Sequence, residues 1–162
     1  MNVRRAIVGD EAVLRSLRLE ALADAPDAFG STIERELART TEDWRRWLAP
    51  GVTLILEEAG IPRGLVAGTP DPDDAGLVHL MAMWVHPLLR DTGASDALVA
   101  SLLAWARERG DREMQVMIVS TNERARRLYA RHGFRMTGHQ SARPRNGAVE
   151  LRMARALGGA AT

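Results

Sequence analysis

From Leu77 to Val85 the chain is apolar except at His79. The run is too short for a membrane span and suits a strand buried on both faces. His86 and Pro87 close it, since proline brings no backbone donor. A polar turn from Arg90 to Ser95 follows around Gly93. From Ala94 the period becomes helical, with Leu98, Val99, Leu102, Leu103 and Ala106 on one face and Gly110 as the stop.

The remaining pattern places elements on both sides of this unit. Val3–Val8 predicts a strand, and Asp10 the N-cap of a helix with a stripe of Val13, Leu14, Leu17, Ala21 and Leu22, ended by Pro26. Asp27–Ser31 reads as loop. Thr40 or Thr41 opens a second helix whose buried face is Trp44, Trp47 and Leu48. Val52–Glu57 and Leu65–Thr69 predict strands joined by a turn at Gly60–Gly64, and Pro70–Gly76 a solvated hairpin loop. Met114–Val119 is the next strand. Thr121 or Asn122 starts a helix with Ala125, Leu128, Tyr129 and His132 on one face, and Gly133 fits its left-handed C-terminal position. Phe134–Gly138 and Ala148–Met153 predict closing strands, and the tail from Gly158 is expected to be disordered. The order βααβββαβαββ mixes an antiparallel meander with a parallel crossover, which points to a single α/β (α+β mixed sheet) domain over 1–157.

Composition narrows the chemistry. With 162 residues one domain with a sizeable core is expected. A net charge of +1 implies no nucleic acid or other polyanion as partner. The absence of cysteine removes thiol nucleophiles and thiolate metal sites, and the four histidines (79, 86, 132, 139) show no paired spacing, so no metal is expected. The N-terminus has no long apolar segment of a signal peptide, so a cytoplasmic protein without membrane attachment is the default, and a homodimer is left open.

A buried strand, a tight glycine turn and a helix make an anion site, because the turn exposes N–H groups at the positive helix end. Phosphate is the obvious guest, with Arg90 beside it. A plain strand–helix corner is the competing reading. The turn is neither a Walker loop nor a dinucleotide fingerprint.

Val85-x-Pro87-x-x-Arg90-x-x-Gly93 resembles the coenzyme A pyrophosphate loop of the Gcn5-related N-acetyltransferases (GNAT family). Asn122-x-x-Ala125-x-x-x-Tyr129, followed by Gly133-Phe134, resembles the second conserved block of that family, and Pro26–Ser31 a segment common in one bacterial branch. The resemblance covers nearly the whole chain and is weakest over roughly the first 50 residues. It implies a twisted mixed sheet of about seven strands with about four helices, splayed between the fourth and fifth strands to admit the pantetheine arm. It also implies acetyl-coenzyme A as cosubstrate and a small-molecule or peptide amine as acceptor. The cofactor contacts it implies are Met83, Trp84, Val85, Arg90, Asp91, Thr92, Gly93, Ala94, Ser95, Asn122, Ala125 and Tyr129.

Tyr129 is the chain's single tyrosine. A phenol with a reference pKa near 10 is protonated at neutral pH and can donate to a departing thiolate; a core-edge tyrosine is the alternative. His79 stands where some family members carry a glutamate base, and neutral imidazole can accept the amine proton directly or through water. A histidine bonded across the sheet is the other reading. Phe29 and Ser31 are the candidate acceptor contacts, although Phe29 can equally plug the core. Asn122 is read as a contact for the pantetheine arm, a helix N-cap or both. Arg124, Arg126, Arg127 and Arg131 read as a solvated helix face, with the 3′-phosphate of coenzyme A as alternative. Arg143 and Arg145 read as a solvated loop, with an acceptor carboxylate as alternative.

Three positions depart from the family pattern. Ser95 replaces the usual final Gly or Ala of the loop, Asp91 a frequent glycine and Asp96 a frequent basic residue. Carboxylates beside a pyrophosphate oppose its binding unless they point away or cap a helix. A non-catalytic acyl-coenzyme A binding or sensing protein on the same fold, and an interaction module, are the rival functions.

Overall fold

The computed structural model describes residues 1–158; the predicted tail beyond Gly158 lies outside them. Strand β1 (Asn2–Arg5) leads to helix α1 (Glu11–Asp24), then short helices α2 (Ile33–Leu37) and α3 (Thr41–Arg45). Strands β2 (Val52–Glu58), β3 (Ile61–Pro70) and β4 (Leu77–Val85) form a meander. Helix α4 (Ala94–Glu108), strand β5 (Glu113–Val119), helix α5 (Glu123–Arg131) and strands β6 (Arg135–Ala142) and β7 (Val149–Ala156) complete the chain. The seven strands form one sheet in the order β1-β2-β3-β4-β5-β7-β6. Only β4 and β5 pair in parallel; the crossover between them is α4.

Residues of β2 alternate between two cores, which is why the strand reads as apolar throughout. Leu54 and Leu56 join Leu98, Leu102 and Phe134 on the face covered by α4 and α5. Ile55 joins Leu14, Leu17, Trp44 and Trp84 on the face covered by α1 and α3. Helix α4 sits close to the sheet because β3 carries glycine beneath it. A Cβ at Gly68 would stand 2.9 Å from Leu102 Cδ1 and from the Trp105 ring.

Several boundaries differ from the pattern-based expectation. Helix α2 was not expected: five residues are too few to display a period, and its signal is local, the Thr32 hydroxyl accepting the Arg35 N–H at 3.2 Å. The β2–β3 turn is Ala59-Gly60, both left-handed (φ 51° and 77°), rather than Gly60–Gly64. Strand β3 therefore starts at Ile61. Pro62 is tolerated there because it lies beyond Gly64, where pairing with β4 begins. Asp10 occupies the N-cap position of α1 but caps no helical N–H. Its carboxylate instead holds the Arg4 guanidinium at 2.8 and 3.0 Å and the Ile7 N–H at 2.8 Å. Strand β1 is correspondingly shorter, leaving Ile7 and Val8 exposed. No helix of the described residues is long and apolar enough to cross a membrane.

Candidate active site

Hydrogen bonding between β4 and β5 covers only Leu77–Leu80 against Glu113–Val116. Beyond that point β5 stays on β7, while β4 carries a bulge against β3 at Ala82, a non-glycine residue with φ 57°. A bulge bends its strand, and here the two strands part around a cleft of about 630 Å³. The His86 N–H donates toward β3, to the Arg63 carbonyl at 2.7 Å. Successive N–H groups of a strand face opposite edges, so the Val85 N–H faces the parting. Its carbonyl faces the same way and accepts from Arg90 Nε at 3.3 Å.

The turn before α4 opens into the same cleft. Asp91 (φ 62°) and Gly93 (φ 89°) are both left-handed. The first helical bond runs from the Ala97 N–H to the Gly93 carbonyl at 3.0 Å, so Ala94, Ser95 and Asp96 keep N–H groups without an intrahelical acceptor. A Cβ built on Gly93 would meet nothing within 4 Å, so the space above the turn is open. Gly93, Ser95 and Asp96 line the cleft. Two predicted contacts do not: the Thr92 hydroxyl turns back to the Leu89 carbonyl, and the Ala94 side chain is buried in the core.

The carboxylates of this turn are neutralised by α5. Asp91 meets Arg124 at 3.0 Å, and Asp96 meets His132 Nε2 at 2.8 Å and Arg131 at 3.1 Å. Burial works against the Asp96 carboxylate, but the bonds from His132 and Arg131 hold its pKa below the ordinary value. The expected solvated arginine face is thus partly a set of countercharges. Arg127 lines the cleft as well, and among the described residues it has no carboxylate partner. Arg90 binds Asp24, which also accepts the Trp84 indole N–H at 3.0 Å. That indole bond first, and Arg90 after it, hold the Asp24 pKa down. Asp24 was not singled out by sequence reasoning. Its one signal is an acid in the last turn of α1, where the helix dipole disfavours it.

Tyr129 lines the cleft with its ring 5.5 Å from Phe134, and burial pushes its pKa up, with no offsetting hydrogen bond from the described residues. Asn122 caps α5, its side-chain oxygen accepting the Ala125 N–H at 3.1 Å, and both residues line the cleft, as do Met83, Trp84 and Val85. His79 does not. Its Nε2 sits 2.8 Å from Asp71, which the β3–β4 hairpin brings alongside.

Phe29 lines the cleft and also packs on the α1 core. Ser31 faces a different cavity. The solvated-loop reading of Arg143 is corrected. The side chain is buried and donates to the carbonyls of Asp27, Ala28 and Phe29 at 2.8, 3.0 and 2.9 Å. Arg145 adds a bond to the Phe29 carbonyl at 3.1 Å. The loop carrying Phe29 is thus pinned from the β6–β7 connection, more than a hundred residues away in sequence.

A match to the acetyltransferase (GNAT) family model spans residues 18–134 and includes both the turn and Tyr129. The chain belongs to the GNAT acetyltransferase family. It has the fold of this family's solved members. A ribosomal-protein-alanine N-acetyltransferase from Brucella melitensis superposes with a TM-score of 0.81 at 22% identity, over 96% of this chain and 99% of that one. The acetyltransferase yncA from Salmonella typhimurium, described as putative and solved with its cofactor acetyl-CoA, superposes at 0.78 with 22% identity, over 97% of this chain and 94% of the other. In sequence, 129 residues are 30% identical to a mycothiol acetyltransferase of Thermobispora bispora, covering 77% of this chain but only 43% of that protein. GNAT acetyltransferases take their acetyl group from acetyl-coenzyme A, and the residues present fit it. Free N–H groups at a left-handed glycine suit a pyrophosphate, and the parted strands leave an open edge for an extended arm.

Proposed function

We propose that this acetyltransferase moves the acetyl group of acetyl-coenzyme A to a primary amine of a small molecule or peptide by direct attack. The observation that carries this reading is that the free N–H groups of the Gly93 turn, the Val85 N–H and the Tyr129 phenol all serve one cleft. Bound acetyl-coenzyme A supplies a thioester whose sulfur leaves as a thiolate. The Ala94–Asp96 N–H groups bind the pyrophosphate, with Arg127 as nearby positive charge. The Val85 N–H polarises the acetyl carbonyl from the unpaired edge of β4. Tyr129, in the cleft lining and protonated at neutral pH as an ordinary phenol is, delivers a proton to the thiolate. His79 stands outside the cleft lining, so on this reading it takes the amine proton through water.

A panel of amines assayed for free thiol release from acetyl-coenzyme A tests the proposal. Turnover above the amine-free rate is expected with at least one class. Tight binding of acetyl-coenzyme A without turnover of any amine would favour a sensing role.

A further inference from the structure

A second cavity, of about 440 Å³, lies against the same strand. Met81 and Ala82 line both spaces, and the loop from Ala28 to Ser31 separates them, with Phe29 toward the cleft and Ser31 toward the second cavity. Its wall is heavily cationic. Arg18, Arg35, Arg39 and Arg46 contribute to it, against the single carboxylate of Glu36.

Arg18 is the unusual member. It is only 7% exposed, yet its buried Nε and Nη1 have no hydrogen-bond partner. Its nearest carboxylate oxygen, on Glu36, is 3.7 Å away, beyond hydrogen-bond distance. Glu36 is fully buried and hydrogen-bonded to Arg39 instead. Two guanidinium groups therefore converge on one carboxylate, and among the described residues Nε and Nη1 of Arg18 are left without a hydrogen bond. A buried charge is normally paired and hydrogen-bonded. The Arg18 group is also held in place, lying 4.7 Å from the Phe29 ring centre and 5.7 Å from that of Trp47. Burial lowers its pKa, Glu36 opposes that and Arg39 adds to it. Nε and Nη1 lie on different edges of the guanidinium, so each lacks an acceptor of its own, and an oxyanion such as a carboxylate entering the cavity is the kind of group that supplies one.

We infer that this cavity is the acceptor subsite and that the acceptor is an amine bearing a carboxylate, with Arg18 binding the carboxylate while the amine reaches the cleft past Phe29, Met81 and Ala82. This assignment rests on the proposed acetyl transfer to an amine, which the experiment treats separately. Initial rates are measured with matched pairs: phenylalanine against 2-phenylethylamine, leucine against 3-methylbutylamine, 4-aminobutyrate against propylamine, and O-phosphoethanolamine against ethanolamine. At least one carboxylate-bearing member should exceed its partner in kcat/KM by roughly 10- to 100-fold, the scale of a charge-assisted hydrogen bond. Arg18→Met should erase that preference while the KM for acetyl-coenzyme A stays within about twofold.

Equal rates within every carboxylate pair, or a preference confined to the phosphate pair, would overturn the inference. Should Arg18→Met fail to fold, the wild-type pairs decide alone. If no amine is turned over, the catalytic reading fails and the subsite is tested by titrating the protein with N-acetylphenylalanine, following tryptophan fluorescence. A saturable change that Arg18→Lys weakens upholds the carboxylate site, and no saturable change overturns it.

Discussion

Tyr129 offers the sharpest test at the scale of single residues. Among the described residues its hydroxyl has no hydrogen-bond partner, so Tyr129→Phe should leave acetyl-coenzyme A affinity and stability nearly unchanged while kcat falls roughly 10²–10⁴-fold. Binding calorimetry, denaturant melts and initial rates on one preparation check this; a wild-type kcat under chemistry-limited conditions would remove the phenol from the mechanism. Its raised pKa also has a sign. Below pH ~10 both folded and unfolded states hold the proton. Above it the unfolded chain loses the proton first, so stability should decline as pH rises. Gly93 is a second residue-scale case. Its φ of 89° suits glycine, so Gly93→Ala should cost about 1–2 kcal/mol in denaturant melts even though space is open around it. A melt like that of the wild type would mean the turn relaxes without strain. The glycine was evident in the sequence as punctuation; that Asp91 shares the left-handed conformation was not, because aspartate is common in ordinary turns as well.

Among the elements, α4 couples the core to the site. Its apolar face lies on the sheet, and its N-terminal turn opens into the cleft. Leu102 is fully buried over Gly68, so Leu102→Ala should lower stability by about 2–5 kcal/mol, read as a shift of the urea midpoint. Loss of less than about 1 kcal/mol would show that the helix settles onto the glycine. The stripe of α4 was legible because fifteen residues sample several turns of the 3.6-residue period. Helix α2 was not, since its five residues sample little more than one turn. The parting of β4 from β5 was expected from family resemblance alone, because a strand's own residues do not say where its neighbour leaves it.

Across the whole molecule, paired carboxylates have depressed pKa values, most of them in local pairs and one, Asp96, joining α4 to the end of α5. Asp10 with Arg4, Glu36 with Arg39, Asp71 with His79, and Asp96 with His132 and Arg131 all have pKa values below the ordinary range. Each contributes stability that is complete above the unfolded pKa near 4 and is lost as pH falls through the lower folded value. Unfolding free energy should therefore drop steadily below pH ~4, and Asp10→Asn should flatten part of that slope. An acid profile identical in the variant would show that the Asp10–Arg4 pair contributes no pH-dependent stability.

What the amino-acid order determined by itself is the set of local periods and turns: the strand at Leu77–Val85, the amphipathic α4, the Asn122 cap and the left-handed Gly133. These depend on neighbours within a few residues, so they are written in the chain. That Met81 in the middle of the Leu77–Val85 strand is exposed, where burial on both faces was expected, came from the parting of β4 and β5. Tertiary structure alone decided that His79 pairs with Asp71 outside the cleft, that Asp24 faces it and that α5 neutralises Asp91 and Asp96. It also decided that Arg143 pins the Phe29 loop. Each of these is a meeting of a charged side chain with a partner brought there by how the elements pack. A charged side chain in sequence carries its sign but not its partner, and the partner decides whether it is a solvated surface group, a brace or a binding site.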